Sequence, residues 1–158
     1  MSTLYIMCGI PGSGKSTLAK DISKEKGALI ICPDAIRKEL TGREEEQSKN
    51  PEVFALAYER TEKALLKGKS VVFDATNISK RDRKTLLDRF GFDHEVIAIV
   101  VSADLSTCLR RNAERQRNVP EDVIRRMHER FEMPDLSEGF DKIDYVTTEK
   151  EYPCNSKF

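Results

Sequence analysis

The sequence contains no apolar run that approaches the roughly 20 residues needed to cross a bilayer. The first residues, MSTLYIMCG, show neither the basic region nor the cleavage site of a secretory leader, so we expect a cytoplasmic protein with no membrane partner. Basic and acidic residues number 27 each, and this balance argues against bulk electrostatic coating of a nucleic acid. A local basic groove is still compatible with this equal number of basic and acidic residues.

Paired cysteine spacing is also missing. None of the four cysteines forms a CxxC motif, so we expect separate thiols in a reducing compartment rather than disulfides or zinc ligands. No internal repeat and no linker divides the 158 residues, which predicts a single domain over 1–158. We expect the tail, 149–158, to be poorly ordered, and no obligate protein partner is indicated.

Five apolar runs have the length and composition of buried strands: TLYIMC, ALIIC, SVVFD, HEVIAIVVS and IDYVTT. Helical patterns separate them, and the longest, PEVFALAYERTEKALLKG, begins with proline and ends with glycine, as helices often do. Strands that alternate with helices favour right-handed crossovers and a parallel sheet covered on both faces. We therefore predict an α/β fold with a central parallel sheet of about five strands and helices on both faces.

The segment GIPGSGKST, residues 9–17, directly follows the first strand-like run. Gly9, Gly14, Lys15 and Ser16 match the pattern GxxxxGK[ST], and a strand before it with a helix after it is the context this motif requires. Glycines let the backbone turn its N–H groups inward, and the N-terminus of the next helix adds the positive end of a dipole. The segment therefore predicts a phosphate-binding loop for a nucleoside triphosphate with magnesium.

Each position of this loop has an expected contact. Lys15 reaches the outer phosphates, and the Ser16 hydroxyl binds magnesium directly. Thr17 either binds an inner phosphate or caps the helix. The predicted nucleotide-binding residues of the loop are Gly9, Pro11, Gly12, Ser13, Gly14, Lys15, Ser16 and Thr17.

Two motifs that would indicate hydrolysis are absent. A switch GTPase carries an NKxD-type guanine-binding motif, and a mechanical ATPase usually has a strand that ends in Asp-Glu. SVVFD ends in Asp74 followed by Ala75, so no adjacent glutamate is available to activate water. This favours a kinase, in which a substrate hydroxyl replaces water.

The segment CPDAIRKEL supplies candidates for the acceptor side. Asp34 and Arg37 are three residues apart, so their side chains project from one face of a helical turn at a strand end beside the loop. A carboxylate there accepts the proton of an attacking hydroxyl, and an arginine binds a phosphate on the acceptor. The alternative is that Asp34 caps its helix and Arg37 points to solvent.

An arginine-rich stretch, LRRNAERQRNVP, comes after the fourth strand-like run. Arg111 and Arg115 are spaced i, i+4 and share a helix face before a short turn. Arginines on a helical lid over the site, here about residues 111–122, neutralise charge on a transferring phosphoryl group. A solvent-facing basic helix end is the alternative.

Four segments, GIPGSGKST, PDAIRKEL, VVFDATN and LRRNAERQRNVPEDVIRRM, together resemble the polynucleotide 5′-hydroxyl kinases of phages and of bacterial RNA repair. The resemblance covers about residues 4–127 and implies an adenylate-kinase-like P-loop phosphotransferase with a small helical lid. It implies ATP and Mg²⁺ as cofactors and the 5′-hydroxyl end of RNA or DNA as acceptor. A place in nucleic-acid repair follows from the same resemblance.

The resemblance also implies roles for individual residues. Lys15, Asp34 and Arg115 would be catalytic, with Asp34 as the general base on the 5′-hydroxyl. Arg37 would bind the phosphate on the 3′ side of the terminal nucleoside. Asp74 would hold magnesium through a water molecule. Thr76 and Asn77 would shape the side of the site that binds the acceptor. Arg111 and Arg115 would bind the phosphates of the donor nucleotide.

Two other functions remain open on the residues alone. D-x-x-R after the second strand and DATN occur in a wider group of small P-loop kinases, so the acceptor could be a small molecule or a nucleoside. The acidic segment GREEEQ near the acceptor side is compatible with such an acceptor. A regulatory nucleotide-binding module without transfer is the third possibility.

Overall fold

Five parallel strands form one sheet in the order β2-β3-β1-β4-β5. The computed structural model describes residues 2–115 and 119–148. The strands are β1 (Thr3–Cys8), β2 (Leu29–Ile31), β3 (Val71–Phe73), β4 (Glu95–Ser102) and β5 (Lys142–Thr147). The helices are α1 (Lys15–Lys26), α2 (Pro33–Thr41), α3 (Asn50–Leu66), α4 (Lys80–Phe90), α5 (Leu105–Ala113) and α6 (Glu121–Arg130), with a 3₁₀ turn at Leu136–Glu138. The predicted α/β fold is confirmed.

Some predicted features lie outside the described residues. The predicted lid, 111–122, is described except for 116–118, and the whole tail, 149–158, falls outside, including Cys154. Within 2–115 and 119–148, none of the helices combines the length and apolarity needed to cross a membrane.

The two faces of the sheet bury alternate residues of β1. Leu4, Ile6 and Cys8 pack into a core shared with α3 and α4, whereas Met7 packs with Leu18 of α1 on the opposite face. Because successive side chains of a strand point to opposite faces, a strand covered on both sides is apolar throughout. Helices therefore cover both faces, as predicted.

β1 lies at the centre of the sheet, between β3 and β4. The chain leaves β1 towards β2 on one side and leaves β4 towards β5 on the other. In open α/β sheets the crevice at such a reversal, at the carboxyl ends of the strands, is where ligands bind. The loop after β1, residues 9–14, lies at this position.

The described cysteines are single thiols. Cys8, Cys32 and Cys108 form no disulfide with one another. Burial raises the pKa of the Cys8 thiol to about 12, so this group stays protonated and unreactive at neutral pH.

A buried ion pair joins α4 to the segment before β5. The Arg83 side chain is fully buried and its Nε donates to Glu138 Oε1 at 2.9 Å, with Nη2 at 3.1 Å from Oε2. The third nitrogen, Nη1, donates to the backbone carbonyl of Asn77 at 2.9 Å. Every guanidinium nitrogen therefore has a partner, which is the condition for tolerating a buried charge.

Removal of the Arg83 side chain should strongly destabilise the fold. Arg83→Ala leaves the nearly buried Glu138 carboxylate without its charge partner and the Asn77 carbonyl without the Arg83 donor, and we expect a loss of about 3–5 kcal/mol in the free energy of unfolding. Urea denaturation followed by circular dichroism measures it. The control is Lys84→Ala, which breaks only an exposed pair with Asp88 and should cost below about 1 kcal/mol. Equal losses in the two variants would contradict the assignment.

Candidate active site

The loop between β1 and α1 depends on glycine at two positions. Gly12 has φ 86° and Gly14 has φ 95°, both in the left-handed region that glycine adopts without strain. A Cβ at Gly12 would lie 2.3 Å from the carbonyl oxygen of Cys108 in α5. Gly14 is the N-cap of α1, so Thr17 does not have that role. The loop therefore packs closely against α5.

Asp74 lies at the end of β3 and faces the first turn of α1. Ser16 Oγ donates to Asp74 Oδ2 at 3.0 Å, and Lys15 Nζ lies 3.9 Å from Oδ1. Asp74 is only 6% exposed, and its Oδ1 is buried without a hydrogen bond from any described residue. The structure thus brings Lys15 and Ser16 of the loop motif together with Asp74, as the family resemblance implied.

This cluster fits a magnesium ion. Hydroxyl and carboxylate oxygens are the ligands that Mg²⁺ prefers, and the unsatisfied Asp74 oxygen has spare acceptor capacity. Within the described residues, no group of three or more His, Cys, Asp or Glu side chains gathers to hold a metal. An ion at Ser16 and Asp74 would therefore complete its shell with water and phosphate oxygens, as Mg²⁺ commonly does.

Arg37 is held on the opposite side of the site. Its Nη1 lies 2.5 Å from Asp34 Oδ1, its Nε donates to Asn50 Oδ1 at 2.9 Å, and Nη1 also donates to the Glu44 carbonyl at 3.2 Å. The Arg37 side chain is 6% exposed and the Asp34 side chain 51%. Arg37 thus does not point to solvent, and the N-cap of α2 is Cys32 rather than Asp34.

Arg111 contacts the loop itself. Its Nη1 donates to the Gly12 carbonyl at 3.2 Å and to Thr148 Oγ1 at 2.9 Å, and its Nη2 donates to the Thr148 carbonyl. The Thr148 hydroxyl in turn donates to the carbonyl of Ser13. Sequence analysis missed Thr148, since no motif surrounds it.

One cavity of about 880 Å³ joins these groups. Loop residues, Asp34 with Arg37, and the two lid arginines all line it. The predicted residues that line it are Pro11, Gly12, Gly14, Lys15, Ser16, Thr17, Asp34, Arg37, Asp74, Thr76, Arg111 and Arg115. The structure therefore brings nearly all of the predicted site residues to one space.

Three predicted residues do not line this cavity. Gly9 packs against β4, where a Cβ would be 2.7 Å from the Val101 carbonyl oxygen, and the Ser13 hydroxyl is buried without a hydrogen-bond partner among the described residues. Asn77 is 6% exposed and its amide donates to the Met7 carbonyl at 2.8 Å. All three residues are buried and hold the loop region against the strands.

An apolar wall, which sequence analysis did not identify, forms part of the same cavity. Its residues come from the start of α6 and the segment before it: Val119, Pro120, Val123 and Met127. The i, i+4 spacing of Val123 and Met127 was a signal for one apolar helix face. The wall gives the cavity a surface suited to a flat apolar ring.

The sheet order, the glycine loop after the central strand and the acid at the end of β3 define the fold of the P-loop kinases. The chain belongs to the AAA_33 family, described as an AAA domain, which matches residues 4–134.

Similar proteins carry several kinase names. The L-seryl-tRNA(Sec) kinase of Methanococcus maripaludis is 31% identical over 93% of this chain, which spans 60% of that protein. A bifunctional polynucleotide phosphatase/kinase described as putative, from Acanthamoeba polyphaga mimivirus, is 31% identical over 91% of this chain, which spans 33% of it. The resemblance to polynucleotide kinases is confirmed, with this chain matching only part of each relative.

The fold has solved counterparts. The structure of a gluconokinase from Sinorhizobium meliloti 1021 aligns with 92% of this chain and 81% of its own, with a TM-score of 0.62 and 20% identity. At this identity the comparison concerns the fold alone.

Substitution at Gly12 should be far more damaging than at Gly27. Both have positive φ, 86° and 65°, so alanine at either costs about 1–2 kcal/mol for the left-handed conformation. Only Gly12 adds a clash, since nothing lies within 4 Å of a Cβ at Gly27. We expect Gly12→Ala to unfold at least about 1–3 kcal/mol more easily than Gly27→Ala in urea. Only Gly12→Ala should lose binding of a fluorescent ATP analogue, and equal behaviour would contradict the analysis.

Proposed function

We propose that this protein is an ATP- and magnesium-dependent kinase that transfers the γ-phosphate to the 5′-hydroxyl end of a nucleic acid. One observation carries the proposal: the phosphate loop and the half-exposed Asp34 carboxylate open onto the same cavity. Proximity of donor and acceptor groups in a single space is what direct transfer requires.

The donor side is the loop and the start of α1. The backbone N–H groups of the loop bind the phosphates at the helix N-terminus, and Lys15 binds the outer ones. Ser16 would hold magnesium directly and Asp74 would hold it through water. When bound, magnesium neutralises charge on the phosphates. The hydrogen bond from Ser16 to Asp74 keeps both oxygens on one side of the loop.

Asp34 performs the proton transfer in this proposal. The acceptor oxygen bonds to the γ-phosphorus as the bond from that phosphorus to the leaving oxygen of ADP breaks, and the hydroxyl proton passes to the Asp34 carboxylate. Arg37 orients that carboxylate through their 2.5 Å contact and binds the phosphate on the 3′ side of the first nucleoside. Thr76 lines the cavity beside them, and Asn77 supports that side from below.

The lid arginines act on the donor phosphates. Arg111 contacts the carbonyl of Gly12 in the loop, so its guanidinium would be available beside phosphates held by that loop. Arg115 lines the cavity just beyond the end of α5 and stabilises charge on the transferring group. Transfer rather than hydrolysis is favoured because Ala75, not glutamate, follows Asp74.

A small-molecule or nucleoside kinase is the second candidate. The observation that favours it is the acidic segment between α2 and α3: Glu45 and Gln47 line the cavity near Arg37, and this side is therefore not strongly basic. The gluconokinase counterpart shares the fold. Against it, the viral relative named for a polynucleotide matches over 91% of this chain.

A labelling experiment separates the candidates. The protein is incubated with γ-labelled ATP, magnesium, matched 5′-hydroxyl RNA and DNA oligonucleotides, and a panel of nucleosides and sugars. Label on an oligonucleotide supports the proposal, and the ratio of RNA to DNA labelling gives the preferred acceptor. Label on a small molecule alone supports the second candidate, and acceptor-independent hydrolysis would support a regulatory module.

Asp34→Asn should abolish transfer while ATP binding is kept, because the carboxylate contacts the acceptor rather than the donor. We expect the rate of transfer to fall by about 10²–10⁴-fold. Transfer of label and calorimetric binding of an ATP analogue are measured together. Glu39→Gln, an exposed acid on the same helix, is the control and should keep full activity. Loss of ATP affinity in Asp34→Asn would show a structural role instead.

Arg115→Ala should lower kcat far more than it raises KM, as expected for a contact made mainly in the transition state. Arginines in this role contribute about 10³–10⁵-fold, so a loss of that order is expected. Steady-state transfer rates at several ATP concentrations check this. Arg110→Ala removes an exposed arginine of α5 that does not line the cavity and is the matched control. An unchanged kcat would remove Arg115 from the site.

A further inference from the structure

A second cavity, of about 330 Å³, lies beside the active-site cavity between α3 and α4. The two cavities share three lining residues: Phe54, Ala75 and Thr76. A ligand that fills the first can therefore continue into the second. None of the contacts proposed above for the phosphate loop, Asp34 or the lid arginines uses this space.

Aromatic rings line one side of the second cavity. Tyr58 stacks on Phe73 with ring centroids 6.1 Å apart and 16° between planes, and Phe54 lies 6.2 Å from Tyr58. Phe73 is buried, whereas Phe54 and Tyr58 are only partly buried. Phe73 packs against Tyr58, and the Arg89 guanidinium lies over the same ring, 5.2 Å from its centroid. Phe54, which makes only a tilted contact with Tyr58, therefore offers the surface on which a nucleic-acid base can stack without regard to sequence.

Polar groups lie on the opposite side. Arg81, in the first turn of α4, lines the cavity, and none of the described residues pairs with its guanidinium. Thr85 lies one turn further along the same helix and also lines it. Burial raises the pKa of Tyr58, so its hydroxyl stays protonated, and this hydroxyl has no hydrogen-bond partner within the described part of the chain.

We propose that this second cavity binds the second nucleotide of a single-stranded acceptor, with its base on Phe54 and its 3′-phosphate on Arg81. The inference rests on the proposed function and adds the class of substrate: an oligonucleotide at least two nucleotides long. Asp82 also lines the cavity, and its charge limits the site to one phosphate rather than a dense polyanion.

Calorimetric binding in the presence of ADP and magnesium tests the proposal with three 5′-hydroxyl ligands. They are a nucleoside 3′-phosphate, a dinucleotide with a 3′-phosphate, and the same dinucleotide without its second base. We expect the complete dinucleotide to bind about tenfold more tightly than the abasic one, which is the size of a base–aromatic stacking contribution.

Two variants test the residues. Arg81→Ala removes the phosphate contact, and Thr85→Trp fills the cavity from an exposed helix position. Each should weaken binding of the complete dinucleotide about tenfold and leave the nucleoside 3′-phosphate unaffected. Lys80→Ala, which removes a neighbouring exposed charge that lines neither cavity, should change nothing.

Phosphate transfer to the same ligands separates this inference from the proposed function. The expected binding pattern without transfer would support the cavity and overturn the kinase proposal. Transfer that is indifferent to the second base and to both variants, with equal affinities, would overturn the cavity assignment and keep the kinase proposal. If none of the three ligands bound, the cavity assignment would also be overturned.

Discussion

Two hydrogen bonds between the ends of β1 and β3 are the constraint on which the site depends. Gly9 N–H donates to the Thr76 carbonyl at 2.9 Å, and the Asn77 amide donates to the Met7 carbonyl at 2.8 Å. Asn77 has a φ of 44°, a left-handed conformation in which asparagine is enriched, and its carbonyl is held by buried Arg83. The phosphate loop and the DATN segment are thereby fixed relative to each other.

This connection explains why the proposed donor and acceptor groups share a cavity. Asp74 is the first residue of the DATN segment, so holding this segment against β1 also places the Asp74 carboxylate against Ser16, 58 residues away in the chain. Asp34 and Arg37 reach the same space because β2 ends next to β3, and Arg37 joins α2 to the N-terminal end of α3 through Asn50. The strand ends thus position the residues on both sides of the proposed reaction.

Much of the fold and half of the site geometry followed from local patterns. The five strands and the helices on both faces were predictable because each rests on apolar periodicity along neighbouring residues. The loop motif and the Asp34–Arg37 pair at i, i+3 were predictable for the same reason, because their residues are close together in the sequence. The chemical roles of these residues stay predictions, although their convergence on one cavity is what those roles require.

The parts of the fold and site that could not be predicted depend on contacts between residues far apart in the chain. The Thr148 hydroxyl reaches the Ser13 carbonyl across 135 residues, and Arg83 pairs with Glu138 across 55. Thr148 and Glu138 belong to no sequence motif, since any polar residue in a favourable position could supply the same hydrogen bond. The sequence by itself determined the α/β class and the phosphate loop, because those depend on neighbouring residues. Only the tertiary structure decided the apolar wall, the support beneath the loop and the aromatic second cavity, because these depend on which distant elements pack together.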